Sequence, residues 1–365
     1  MTASPVRYSP AVEVQEPDET ETGRQLVETL LEISEITYKD SGHAVRSVHA
    51  KAHGLLHAEL VVADGLPPTL AQGLFAKAGR YPVLMRFSTI PGDILDDSVS
   101  VPRGLGIKIV GVEGERLPGS EGDTTQDFLM VNGPAFAAPT AKAFLKNLEL
   151  LAGTTDRAEG LKKVLSATLR GVETLLEAVG GESGTLKALG GHPETHILGE
   201  TFYSQAPLRY GDYIAKISLA PVSPELTALT DAHLNVNGVP NGLREAVQAF
   251  FRAQSGIWEL RAQLCTDLDA MPVEDSSQPW PEDQSPYVTV GTITAPPQES
   301  WSAANIKAID DGMSFSPWHG IDAHRPLGSI MRVRRDAYQS SAGFRGSHNG
   351  CPMHEPRAPI PAAGL

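Results

Sequence analysis

Two cysteines, Cys265 and Cys351, are all that the 365-residue chain contains. That is too few for a disulfide framework, so both are read as reduced thiols. Basic charge is also short: 30 Lys and Arg against 44 Asp and Glu leave a net charge of -14, which opposes attraction to phosphate backbones and anionic lipid. Nucleic-acid binding is excluded as a general role. No run approaches the ~20 apolar residues of a membrane-spanning helix. The opening MTASPVRYSPAVEVQEPDETETG has neither the basic nor the apolar region of a secretion signal, and a cytoplasmic protein is expected. An internal repeat and a Gly-rich phosphate loop are absent too. What is present is apolar material for a packed core, 41% hydrophobic against 20% charged residues, which rules out global disorder.

Residues 1–22, rich in Pro, Glu and Thr, read as a flexible arm without a core of its own. Residues 23–345 read as the folded core, and 346–365, rich in Pro and Gly, as an irregular tail. Within the core, helical spacing of apolar residues predicts helices over 24–38, 138–152, 157–178 and 241–254. A last helix is predicted over 325–342, with Pro326 in its first turn. Short alternating or β-branched runs at 55–62, 81–88, 104–112, 128–131, 213–221, 257–265 and 287–294 predict antiparallel strands. Strands before and after a helical insertion point to an α+β fold built on an antiparallel β-barrel.

His43, His49, His53 and His57 crowd one short segment. Spacing of four puts the last three on one face of a strand or a helix. A zinc site would need a further carboxylate or thiolate, for which only Glu59 offers itself, and scattered core or surface histidines are the alternative. Cys351, flanked by His348 and His354, is a weaker metal candidate in the tail.

Five segments carry a more specific signal: RSVHAKAHG (46–54), RFST (86–89), PRGLGIKI (102–109), DFLMVNGPAF (127–136) and RVRRDAYQSSAGFR (332–345). In this order and separation they resemble the catalase superfamily. SFSPWHGIDAHRPLGSIMRVRR (314–335) is most similar to the small catalase-related haem peroxidases. The resemblance implies a catalase-type barrel with surrounding helices, holding haem b.

The resemblance also assigns roles. Tyr338 becomes the axial iron ligand and His49 the distal base that moves a proton from one peroxide oxygen to the other. Asn132 would orient the peroxide, although the turn after it is one residue shorter than in the long catalases. Ser88 would hold the His49 imidazole, Arg46, Arg86 and Arg345 would neutralise the haem propionates, and Phe144 would pack on the porphyrin. A phenolate at neutral pH requires the ordinary pKa of ~10 to fall by ~3 units, roughly 4 kcal/mol. Ferric coordination supplies most of that, and Arg334, four residues before Tyr338 on one helix face, adds to it.

His53 and His57 stand where small residues are usual in the long catalases. Val48 is the aliphatic residue of peroxide-dismutating members and disfavours a fatty-acid hydroperoxide isomerase. The chain ends 27 residues after Tyr338, where long catalases continue into a further helical domain, so a core with a wider channel is expected. The reaction expected is reduction of hydrogen peroxide or organic hydroperoxides by a small-molecule reductant in the oxidative stress response, with accompanying catalase activity, in a homo-oligomer such as a dimer. The alternatives are a fatty-acid hydroperoxide isomerase or lyase of the same fold and a non-catalytic haem-binding protein.

Overall fold

Gly- and Pro-punctuated runs become nine antiparallel strands in a computed structural model that describes residues 4–152 and 192–358. They are β1 (Ala52–Val62), β2 (Gly79–Thr89), β3 (Arg103–Val110), β4 (Thr125–Val131), β5 (Phe202–Tyr203), β6 (Leu208–Tyr210), β7 (Tyr213–Pro221), β8 (Gly256–Leu264) and β9 (Val288–Ala295). The order β5-β4-β3-β2-β1-β9-β8-β7 closes on itself where Phe202 and Tyr203 pair with Leu219 and Ser218. The result is a closed eight-stranded barrel, with β6 a short hairpin partner of β7. Closure leaves no edge to template aggregation.

Leu56, Leu60, Met85, Phe87, Ile107, Trp258 and Leu260 belong to the largest apolar cluster and are fully buried. Each such side chain contributes roughly 1.5–3 kcal/mol of transfer free energy. The helices are α1 (Glu19–Ser41), α2 (Ala141–Ala152), α3 (Gly242–Phe251) and α4 (Ser329–His348), besides shorter turns. A second cluster joins three of them: Leu26, Leu30 and Ile33 of α1 pack with Leu145 and Leu148 of α2 and with Val333 and Ala337 of α4. The α+β barrel read from the sequence is the fold observed; the helix expected over 157–178 lies outside the described residues.

Three boundaries differ. Helix α1 begins at Glu19, inside the segment read as a flexible arm. Val6, Tyr8 and Val12 of that arm pack against a buried cluster containing Ile214, Cys265, Met271 and Trp280. Arg332 of α4 bridges Glu13, Glu19 and Glu274, so the acidic composition that suggested solvent exposure is matched by a cation far along the chain. Pro326 lies outside α4 and bridges to Leu208, because Gly328, with φ 84, breaks helical geometry before Ser329. Finally, α4 runs to His348, and the residues beyond it fold back, His354 N donating to Gly312 O at 3.1 Å. No helix among the described residues is long and apolar enough to cross a membrane.

Candidate active site

His49 sits in the turn before β1, with a backbone φ of 56. Non-glycine residues pay for that left-handed conformation, and such strain collects at functional sites. The turn is held by His49 N donating to Ile90 O at 2.6 Å. Ser88 Oγ lies 3.1 Å from Nδ1 of His49, within reach to fix the ring and its tautomer. Gly104, opposite Ser88 across β2 and β3, makes room for the ring, since a Cβ there would fall on Cε1 and Nδ1. Burial, reinforced by the guanidiniums of Arg86, Arg334 and Arg46, lowers the His49 pKa to about 3. The imidazole is therefore neutral at neutral pH and able to accept a proton.

His49 faces a cavity of about 810 Å³ including its mouth, within the usual range for ligand sites. Arg46, Val48, Arg86 and Ser88 line it together with His49, and α4 contributes Arg334, Tyr338 and Arg345. Residues read from segments nearly 300 positions apart thus share one cavity. Leu105, Leu129, Met130 and Phe315 supply apolar wall. The guanidinium carbon of Arg334 stands 5.8 Å from the Tyr338 ring centroid, as the four-residue helical spacing requires, and 5.5 Å from that of Phe136.

Arg46, Arg86 and Arg345 converge on Asp310. Its Oδ1 accepts from Arg46 at 2.6 Å and Arg86 at 2.8 Å, and its carbonyl accepts from Arg46 and Arg345, each at 2.9 Å. Asp310 is presented by a π-helical turn, Ile306–Asp311, a rare geometry that recurs at functional sites. Burial alone would raise the Asp310 pKa, but the guanidiniums, Arg86 foremost, outweigh it and hold the carboxyl at about 2. One carboxylate against three guanidiniums leaves two positive charges over, and burial leaves Arg345 Nε without a partner.

No known family profile matches the chain, and no curated protein matches it. Solved structures do. A fungal catalase aligns with TM-score 0.59 and 18% identity over 86% of this chain and 62% of its own. Catalase A from Saccharomyces cerevisiae gives 0.58 and 17% over 86% and 63%, and a bacterial catalase 0.58 and 14% over 99% and 66%.

The chain has the catalase fold. It spans less than two thirds of the length of each of these catalases.

The cavity of this catalase-fold chain fits the haem b that the sequence resemblance implies. Two surplus guanidinium charges match two propionates, apolar wall matches a porphyrin body, and a phenol and a neutral imidazole are both within the same space. Gly106 widens it further, since a Cβ there would come within 3.0 Å of Phe315.

Two residues singled out in the sequence do not line the cavity. Asn132 is turned to other partners: Oδ1 accepts from Arg103 N at 2.8 Å, while Nδ2 lies 2.7 Å from His192 Nε2 and 3.2 Å from Glu200 Oε2. Phe144 packs edge-on against Phe136, centroids 5.0 Å apart, and against the α1–α4 cluster. Asp310, Gly104, Phe315 and Gln205, by contrast, are site residues that sequence reasoning missed. Only Gly104 carried a signal, within PRGLGIKI.

The histidine cluster disperses. His49 precedes the strand, so the shared-face argument does not reach it. His53 is fully buried with Nε2 3.2 Å from Thr89 Oγ1, His57 Nε2 lies 3.5 Å from Asn305 Oδ1, and His43 lies 3.0 Å from Asp311. Glu59 pairs with Arg80 instead. Among the described residues, the compact ligand-type cluster is Asp127, His319 and Glu355, and Lys108 Nζ already bonds both Asp127 oxygens at 2.8 Å and reaches Glu355. An internal ammonium thus takes the place of a cation. In the tail, His348 stacks on Phe344 and is not gathered with Cys351 and His354.

Proposed function

We propose that this protein binds haem b and reduces hydrogen peroxide or small organic hydroperoxides with electrons from a small-molecule donor, dismutating part of the hydrogen peroxide as well. The observation that carries the reading is the cavity itself, where a neutral, half-buried imidazole, a helix-borne tyrosine and three arginines with two charges to spare meet. Tyr338 would hold the iron with Arg334 beside it, and Arg46, Arg86 and Arg345 would hold the propionates. Haem, when bound, supplies the redox chemistry of O–O cleavage.

The chain's own residues manage the proton. His49 Nε2 takes it from one peroxide oxygen and delivers it to the departing one, while Nδ1–H donates to Ser88 Oγ, whose hydroxyl turns to Gly104 O, so that Nε2 is the accepting atom. Apolar walls keep bulk water from competing for it. Asn132 and Phe144 have no part in this reading. It places the protein among cytoplasmic homo-oligomeric enzymes of the oxidative stress response.

An absorption spectrum of the purified protein before and after peroxide tests the proposal. A ferric haem with tyrosinate ligation that responds to peroxide is expected; a protein that takes up no haem overturns it. A protein that binds haem but turns over no peroxide, and whose haem binding is unchanged in His49→Ala, would reassign the chain as a haem carrier. Allene oxide or aldehyde products from a fatty-acid hydroperoxide without reductant would replace peroxidase by isomerase or lyase activity.

A further inference from the structure

Gln205 lies between β5 and β6 and lines the same cavity. It is one of three non-glycine residues with a left-handed backbone among the described residues, with φ 61, and its side chain is fixed. Nε2 donates to Gly133 O at 3.1 Å and to Ala135 O at 2.5 Å. Two facing carbonyls require the NH2 end of the amide to be turned toward them, since its own oxygen would be repelled by both. Both donors are thereby spent. Gln205 is only 8% exposed, and its Oε1 has no hydrogen-bond partner among the described residues.

The cavity therefore offers two open acceptors. One is His49 Nε2, because Nδ1–H donates to Ser88 Oγ, whose own hydroxyl donates to Gly104 O; the other is Gln205 Oε1. A ligand small enough to sit between these two cavity-lining groups satisfies both only if it carries two O–H donors. Hydrogen peroxide has two, and an alkyl hydroperoxide has one. Burying a polar atom without a partner costs binding, so the second acceptor penalises the one-donor ligand.

We propose that Gln205 is a specificity-determining residue that accepts the second O–H of hydrogen peroxide and so favours it over alkyl hydroperoxides. This rests on the substrate class proposed above and assigns its selectivity to one atom. Asn132, whose amide is committed elsewhere, plays no role in it.

Two measurements on the full chain as purified decide the matter. In the first, calorimetry without peroxide compares catechol, with two adjacent O–H groups, and 2-methoxyphenol, with one. Wild type should bind catechol roughly tenfold tighter, the worth of about one neutral hydrogen bond, and Gln205→Met should abolish that ratio. If Gln205→Met does not fold, Gln205→Asn, which withdraws the oxygen by one carbon, takes its place. Equal binding of the two phenols by the wild type overturns the proposal, as expected if Oε1 keeps a water instead. In the second, the ratio of kcat/KM for hydrogen peroxide to that for tert-butyl hydroperoxide should fall roughly tenfold in the variant, the first value falling as the second O–H loses its acceptor and the second rising as no acceptor is left unpaired. An unchanged ratio overturns the assignment. If the phenol ratio behaves as expected while no form of the protein reacts with peroxide, the peroxidase reading falls and the two-donor selectivity of Gln205 stands.

Discussion

Gly104 lies against the imidazole of His49, so that a Cβ on its backbone would come within 2.3 Å of Cε1 and 2.4 Å of Nδ1. Gly104→Ala must therefore displace the base while leaving the cavity's other groups in place. Misplacing a catalytic group by about 1 Å costs on the order of 100-fold in rate, and that loss of peroxide turnover is expected, with haem content unchanged. Wild-type turnover in the variant would show that His49 is not the proton-moving group.

Asp310 neutralises one of three guanidiniums that face each other. Asp310→Asn should destabilise the haem-free protein by about 3–5 kcal/mol, the usual cost of stripping a buried charge of its partner. Haem should recover much of that loss by bringing two carboxylates. The Asp310 pKa is depressed to about 2, so its stabilisation is present above the unfolded value near 4 and fades as pH falls toward 2. Urea unfolding of variant and wild type across that range, with and without hemin, checks both points. An acid limb identical in the two proteins would contradict them.

His319 is held between Asp127 and Glu355 at 3.3 and 3.2 Å. Burial and the neighbouring Lys108 would lower its pKa, but the hydrogen bonds to the two carboxylates outweigh them and raise it to about 9. A raised histidine pKa means that the stabilisation is complete below about 6.5 and is lost as pH climbs through 9. Melting temperature should decline over that interval in the wild type and stay flatter in His319→Gln. Because Glu355 belongs to the folded-back tail, the same alkaline interval should raise proteolytic cleavage after residue 346. Parallel melting curves for the two proteins would remove His319 from this role.

Tyr338 is half-buried at the cavity wall and makes no hydrogen bond among the described residues that anchors α4. Tyr338→Phe should leave the fold within about 1 kcal/mol of the wild type, as for substitutions outside the core, while abolishing the tyrosinate band and weakening haem retention. Haem titration followed at the Soret band, beside a denaturant melt, separates the two effects. A variant that binds haem with the wild-type spectrum would place the ligand on another side chain.

Much of this architecture could be read from local pattern. The run 213–221 became β7 with the boundaries read for it, the amphipathic run at 24–38 lies within α1, and that at 241–254 contains the shorter α3. Strand and helix identity follow from the periods at which Leu, Val and Ile recur. Arg334 and Tyr338 were paired correctly because four residues on a helix is a fixed geometry. Where the reading failed, the deciding partner was remote. Nothing near Glu13 or Glu19 announces Arg332, and nothing near Asn132 announces that Arg103, His192 and Glu200 engage it.

The barrel, its helical cover and the residue types that line the cavity were legible in the chain, because hydrophobic period and motif order are local or ordered properties of it. Only the tertiary structure decided which of those residues meet. Closure of β5 on β7, the left-handed turns at His49 and Gln205, and the π-helical turn that carries Asp310 to three arginines depend on contacts with residues outside the local run of chain, Asp310 meeting Arg46 264 positions away. Backbone strain of that kind persists only when the surrounding packing enforces it, and packing is not written in any short stretch of chain.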